Sequence, residues 1–220
     1  MGDPLNTKLK LPYYTPFQKT LYLDADSLVY GSLDYYFDVL NDAPVLYHGE
    51  LLTSGDWYMD IAAVCQKEQL PWLPKFNSGM FLFNSGKEAA AIFDTAYRSL
   101  QNSAAYGIDC FRGNMLPDEP FLAIAFAKHG ILPTEDHGRF SYTLINASSI
   151  NLNIKKGMAR FYKNGCIVHP LAVHFCGRFG DFFYRREKRR LASYIDNPLS
   201  RLVSSCFVLI RNFVKRPRKK

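Results

Sequence analysis

Along the chain, short continuous apolar runs alternate with stretches whose apolar residues recur every three or four positions. Residues 19–24 form a strand candidate, and SLDYYFDVL after it reads as a short amphipathic helix. Residues 44–47 are a second strand candidate, with Gly49 and Glu50 at its end. Between residues 51 and 74 helical spacing is mixed with Gly55 and two prolines, and the pattern assigns no element there. Residues 80–83 are apolar and rich in aromatics, which predicts a buried strand. Ser85 and Glu88 then have capping-box spacing, and Ile92, Phe93, Ala96, Tyr97 and Leu100 share one helical face. PDEPFLAIAFAKHGI opens with proline and acids and stops at Gly130, which predicts another helix; CIVHPLAVHFCG reads as strand-like pieces ending at His174 and Gly177. Strands alternating with helices predict an α/β fold. There is no internal repeat and no low-complexity tract.

The first strand ends in an unusual way. In LYLDADSLVYGSLD an apolar run finishes on Asp24 and Asp26, one residue apart. Open α/β sheets bind ligands at the carboxyl ends of their strands. Hard oxygen donors at this spacing can share a divalent cation, and such a cation can hold a diphosphate. Solvated turn carboxylates fit the same three residues. An EF-hand loop does not, because Leu28 and Val29 stand where an oxygen donor and a glycine are required. A haloacid-dehalogenase-like phosphohydrolase also opens on an aspartate pair, and GDWYMD at residues 55–60 imitates its later acidic motif. That motif arrives after only about 30 residues, which leaves too little chain for the intervening units.

Composition narrows the class. The chain has 220 residues, 48% hydrophobic and 21% charged, enough for one substantial core and unlike a disordered protein. Five cysteines without a C-x-x-C pair argue against a disulfide framework or a zinc site and for a reducing, cytoplasmic setting. No apolar run has the length of a secretory signal core or a membrane span. The net charge of +7 is concentrated at one end, where residues 178–220 carry thirteen Lys and Arg against three acids. There Leu199, Leu202, Val203, Phe207, Ile210, Phe213 and Val214 are interleaved with basic residues. The pattern suits a helix in an anionic membrane interface and equally a solvated helix packed on the core; it is too unspecific to favour nucleic acid.

Taken in order, LYLDADSLVYGSLD, FNSGMFLFNSG, LPDEPFLAIAF and HFCG resemble glycosyltransferase family 8 over about residues 15–180. These are retaining GT-A enzymes related to bacterial lipopolysaccharide galactosyl- and glucosyltransferases and to glycogenin. The resemblance implies a catalytic part at residues 1–180 and a basic tail at 181–220. It also implies an α/β GT-A fold with a mixed, mainly parallel sheet flanked by helices. Family members carry more chain ahead of the D-x-D strand than the 23 residues found here, in βαβ units that hold the nucleotide base and ribose, so the expected fold is N-terminally truncated.

By the same resemblance Asp24, Asp26 and His174 hold Mn2+ or Mg2+. Ala25, Asn77, Ser78, Gly79 and Gly177 join the two aspartates in lining the donor, with glycine at 79 allowing close backbone approach. Asp118 and Glu119 match an Asp-Gln pair beside the reacting carbon, with glutamate in place of the usual glutamine. Where the family carries a phosphate-binding lysine this chain has Gly180, and Arg178 is the nearby substitute. The implied activity is transfer of a hexose from a nucleotide sugar, expected to be a UDP-sugar, to a saccharide or glycolipid acceptor. The enzyme would sit in the cytoplasm, peripheral on the inner membrane face. The alternative is a non-catalytic remnant that keeps the fold as a sugar- or partner-binding module.

Overall fold

A computed structural model of the chain describes residues 7–110, 115–136 and 138–195. In chain order these form α1 (Leu11–Tyr14), β1 (Lys19–Leu23), β2 (Ser27–Val29), α2 (Asp34–Leu40), β3 (Val45–Leu46), β4 (Gly49–Leu52), α3 (Ile61–Glu68), β5 (Leu73–Phe76), β6 (Met80–Asn84) and α4 (Lys87–Gln101). There follow α5 (Glu119–Lys128), β7 (Ser141–Thr143), β8 (Ser148–Asn153), β9 (Met158–Lys163), β10 (Cys166–Val168), β11 (Ala172–His174) and α6 (Asp181–Ile195). The interval from 51 to 74, unassigned from sequence, holds the end of β4, all of α3 and the start of β5. Asp60 caps α3 by accepting the Ala63 N–H at 3.0 Å. The acidic GDWYMD motif therefore serves a helix start, and its Asp56 and Asp60 are exposed and do not line the cavity that Asp24 and Asp26 share, so the phosphohydrolase reading lacks its second acidic group.

The strands lie in four small sheets, ordered β1-β6-β3, β4-β5, β2-β11-β7 and β10-β9-β8. Among the described residues a mainly parallel arrangement does not form: six of the seven strand pairings are antiparallel, and only β11 with β7 is parallel. The cause is local. β9 and β10 are joined by Asn164 and Gly165 alone, both at positive φ (51° and 82°), the two-residue turn that forces an antiparallel hairpin. β7 and β11 can run parallel because the β8–β10 meander carries the chain back between them.

The core is aromatic. Every residue of α5 from Glu119 to Ala127 is buried. Phe126 stacks on Tyr47 at 4.5 Å between ring centres and meets Phe76 at 5.3 Å. β6 supplies Phe81 and Phe83, which pack on Phe93 of α4. The capping box predicted at Ser85 does not form. The Ser85 hydroxyl donates to the Phe17 carbonyl at 2.5 Å and α4 starts from Gly86, so Ser85 ties the start of α4 to the segment ahead of β1.

α6 is held by Glu187, fully buried, whose carboxylate meets Arg186 (3.0 Å) and Arg190 (2.7 Å) and accepts the Ile154 N–H at 2.7 Å. No described helix is long and apolar enough to cross a membrane. The interfacial segment read at Leu199–Val214 lies outside the described residues.

Two pairings place the site. The antiparallel register sets Leu23, at the carboxyl end of β1, opposite Met80, at the start of β6. β11 sets His174 opposite Ser27. The ends of β1, β11 and the turn before β6 thus meet beside the N-terminus of α5.

Candidate functional site

Asp24 and Asp26 flank a tight turn, with the Ser27 N–H donating to the Asp24 carbonyl (3.0 Å) and the Phe175 N–H to the Asp26 carbonyl (3.0 Å). Each carboxylate has one oxygen already engaged. Asp24 Oδ1 accepts the Tyr22 hydroxyl at 2.6 Å and faces Lys8 Nζ at 3.2 Å. Asp26 Oδ2 accepts the Gly177 N–H at 2.9 Å, a donor aimed by the left-handed Cys176 (φ 52°) and Gly177 (φ 58°). The remaining oxygens turn toward one nitrogen: His174 Nε2 is 3.5 Å from Asp24 Oδ2 and 3.0 Å from Asp26 Oδ1.

The tautomer of His174 follows from Asn77. The Asn77 amide nitrogen donates to Glu119 Oε1 (2.8 Å), and its oxygen accepts the Gly79 N–H (3.2 Å). With the amide so oriented, the 2.7 Å contact between Asn77 Oδ1 and His174 Nδ1 has the ring N–H donating. The Nε2 lone pair then faces two carboxylate oxygens, an arrangement that asks for a cation. Two hard oxygens and an imidazole nitrogen, with ligand atoms within 4.8 Å of one another and a fixed second ring nitrogen, fit a divalent ion such as manganese or magnesium.

Gly79 serves this ring. A Cβ at that position would collide with His174 Nδ1 and come within 2.7 Å of Asn77 Oδ1, so the missing side chain makes room for the imidazole. Gly180 is equally confined, since a Cβ there would stand 2.5 Å from the Phe175 carbonyl oxygen. The position where a phosphate-binding lysine was expected has no space for a side chain. Arg178 lies in the 3₁₀ turn Gly177–Phe179 that precedes it.

A lysine does reach the site, from the other side and from a residue that sequence reasoning passed over. Lys8 is 6% exposed, with its ammonium 2.8 Å from Asp118 Oδ2, 3.2 Å from Asp24 Oδ1 and 3.0 Å from Ser78 Oγ, and 5.0 Å from the centre of the Tyr22 ring. Its contact with Asp118 is ionic, without the angle of a directed hydrogen bond. Burial alone would lower its pKa, but the charges of Asp118 and Asp24 outweigh burial and hold it above the ordinary range. No local signal marks Lys8 among the residues of KLKLPYY; Ser78, which it binds, is 70 positions away.

Glu119 completes the floor. It starts α5, with Asp118 at the cap position making no cap hydrogen bond. Its Oε1 accepts from Asn77 Nδ2 and from the Ser78 N–H at 3.0 Å. Burial, and next the charge of Asp118, push its carboxyl up to about 7, against the opposing pull of the Ser78 N–H, Lys8 and the Tyr58 hydroxyl. Tyr58 sits in the left-handed region (φ 57°), a conformation that bulky residues adopt at a cost and that clusters at working sites. Asp24, Ala25, Asp26, Asn77, Ser78, Asp118, Glu119, His174 and Gly177 line one cavity of about 870 Å³, together with Lys8, Tyr22 and Tyr58. Tyr184 of α6 donates to the Ala25 carbonyl at 3.2 Å and so fixes the turn between the aspartates.

No protein-family model matches the chain, and no curated protein matches it in sequence. Solved structures do. A crystal structure of the galactosyltransferase LgtC, in complex with donor and acceptor sugar analogues, is 20% identical at a TM-score of 0.57, covering 90% of this chain and 69% of that one. An active-site variant of LgtC with glutamate in place of a glutamine gives 20% identity and a TM-score of 0.55, covering 88% and 68%. The apo form of mouse xyloside xylosyltransferase 1 gives 14% and 0.46, covering 80% and 63%. The chain thus has the mixed α/β GT-A fold of the LgtC structures, and it carries an Asp-Asp-His cluster among its described residues.

Proposed function

We propose that the chain is a metal-dependent, retaining glycosyltransferase that moves a hexose from a nucleotide sugar, most simply a UDP-sugar, to a saccharide or glycolipid acceptor. The observation that carries this reading is the convergence of Asp24 Oδ2, Asp26 Oδ1 and His174 Nε2 beside the buried Lys8 ammonium, in one cavity with Glu119. A divalent ion held by the three ligands would neutralise the departing diphosphate. Lys8 supplies a second positive charge on the same wall. Asn77 fixes the ligand face of His174, and Asp118 and Glu119 face the sugar. Gly177, in the 3₁₀ turn that also carries Arg178, extends the donor wall.

In this reading residues 1–180 form the catalytic part and 181–220 a basic tail that brings the enzyme to an anionic membrane surface on its cytoplasmic side. Lys188 and Arg189, exposed on α6 and outside its ion pairs with Asp181 and Glu187, support it by charge. A UDP-hexose panel tested with manganese by NMR, following the anomeric proton, tests the activity. Consumption of one donor with an α-linked product from an α-linked donor is the expected result, and no turnover of any donor by chain that binds UDP contradicts it.

A second reading, a non-catalytic sugar- or partner-binding module, is favoured by one observation. All five β1 residues are only half-buried, although Leu21, Tyr22 and Leu23 sit opposite Leu82, Phe81 and Met80, which are fully covered. Such a module would take the metal and leave nucleotide unbound.

A further inference from the structure

Beyond Tyr58, Asn77, Glu119 and Ile145 lies a second cavity, of about 520 Å³, and these four residues line both it and the larger one. Asp24, Asp26 and His174 do not reach it. The two cavities therefore communicate at Glu119, where a sugar held by the first would present its reactive carbon to a group held by the second.

The charges in the second cavity are already paired. Lys163 Nζ donates to the Thr143 carbonyl (2.8 Å), the Thr143 hydroxyl (2.7 Å) and the Ile145 carbonyl (2.9 Å), which uses all three of its protons. Lys75 faces Glu50 at 3.4 Å across the β4–β5 pair. His48 Nδ1 points at the Thr134 carbonyl (3.2 Å) and at Asp136 (3.4 Å), while its Nε2 meets the Tyr142 hydroxyl (3.3 Å). An anion entering here meets no open cation and approaches the Glu119 carboxyl.

Neutral hydrogen-bonding groups, by contrast, are open. Asn146 and Asn164 line the cavity from two turns, both in the left-handed region (φ 57° and 51°), and their carboxamides make no hydrogen bond among the described residues. Trp57 is half-buried against Phe76 at 6.4 Å and Tyr58 at 5.7 Å, and its indole N–H has no partner among the described residues. A flat ring beside unengaged amides is a recognition set for the hydroxyls and C–H faces of a sugar.

We propose that the second cavity is the acceptor subsite and that it selects an uncharged saccharide unit over phosphorylated or carboxylated ones. This rests on the glycosyltransferase reading. At the junction an acceptor hydroxyl oxygen forms the bond to the anomeric carbon as the bond from that carbon to the diphosphate oxygen breaks. The electron pair of the broken bond leaves with the diphosphate, and the hydroxyl proton passes to that same oxygen. Specificity follows from pairing that excludes anions as much as from groups that attract hydroxyls.

Ligand-observed NMR on the full chain with lactose and maltose, beside sialyllactose and maltose phosphate, tests the assignment. The neutral sugars should bind and the acidic ones should give no signal. Trp57→Ala should abolish saccharide binding, with a UDP titration of the same variant reporting whether the donor side stays folded. Glu50→Gln leaves Lys75 unpaired and should raise binding of the acidic sugars about threefold, the size expected of an exposed pair. Acidic sugars binding as tightly as neutral ones would overturn the selection, and neutral binding that survives Trp57→Ala would overturn the location. Failure of every saccharide on chain that takes UDP with manganese overturns this inference alone. Failure of UDP itself overturns the activity beneath it.

Discussion

On the side of Glu119 that faces Lys8, polar atoms have fixed partners: Asp24 is held by Tyr22 and Lys8, Asp26 by the Gly177 N–H, and His174 by Asn77. On the side that faces Trp57, charges are already engaged, Lys75 by Glu50 and Lys163 by carbonyl and hydroxyl oxygens, while among the described residues the Asn146 and Asn164 carboxamides and an indole N–H are left open. The difference teaches how one cleft divides its work. In the glycosyltransferase reading proposed above, the atoms that would meet a cation and a diphosphate are set in advance, because reorganising them during reaction would raise the barrier, and the groups that would meet hydroxyls are left to adapt.

The comparison breaks most sharply at Lys8. Lys8→Ala leaves Asp118 and Asp24 without their shared cation, and loss of one partner from a buried pair costs about 3–5 kcal/mol. Chemical denaturation should show that loss, and manganese should restore part of it by neutralising Asp24. A variant as stable as the parent would mean that the wired side is not held by charge.

Glu119 gives the next effect, with a defined pH window. Its carboxyl is raised from 4.5 to about 7, so the folded chain keeps the proton that the unfolded chain releases. Its stabilising contribution is complete below 4.5 and is lost as pH rises through 7, a decline of about 3 kcal/mol. Glu119→Gln keeps an acceptor for Asn77 and Ser78 and removes the titration. The variant should match the parent at pH 4 and exceed it at pH 8, and parallel stability curves would contradict the assignment.

Gly79→Ala sharpens the contrast by moving one ligand. The added Cβ displaces the His174 ring, and manganese affinity should fall about 10- to 100-fold, as for disturbed supporting groups at other metal sites. Saccharide binding in the second cavity should be unchanged. The smallest effect is expected from Trp57→Phe, which keeps a ring but removes the indole N–H; sugar binding should weaken by about 1 kcal/mol with no change in metal affinity.

Much of this was legible in the sequence, for reasons that can be named. β1, β6, α4 and α5 announce themselves by continuous or periodic apolar residues, and Asp24 and Asp26 stand out because they interrupt such a run at its end. His174 ends a strand beside them. Signals carried by neighbours in sequence were readable; those created by the fold were not. Lys8 looks like any lysine until the chain brings it to Ser78, Asp118 and Asp24. Gly79 reads as a loop glycine facing ligand, whereas its missing side chain accommodates an imidazole 95 positions later. Ser85 had the spacing of a cap and was drawn off by the Phe17 carbonyl. The mainly parallel sheet was an expectation carried by the family resemblance, and nothing in the alternation of strands and helices could correct it, because alternation does not distinguish a crossover helix from the two-residue turn at Asn164 and Gly165.

The central claim is that Asp24, Asp26 and His174 hold an ion that in turn holds a nucleoside diphosphate. Calorimetric titration of the 220-residue chain with UDP, with and without manganese, tests it most directly beside the Asp24→Ala, Asp26→Ala double variant. The account predicts binding that requires manganese and disappears in the variant. UDP binding that is indifferent to the metal, or no binding to a folded chain that takes up manganese, would contradict it.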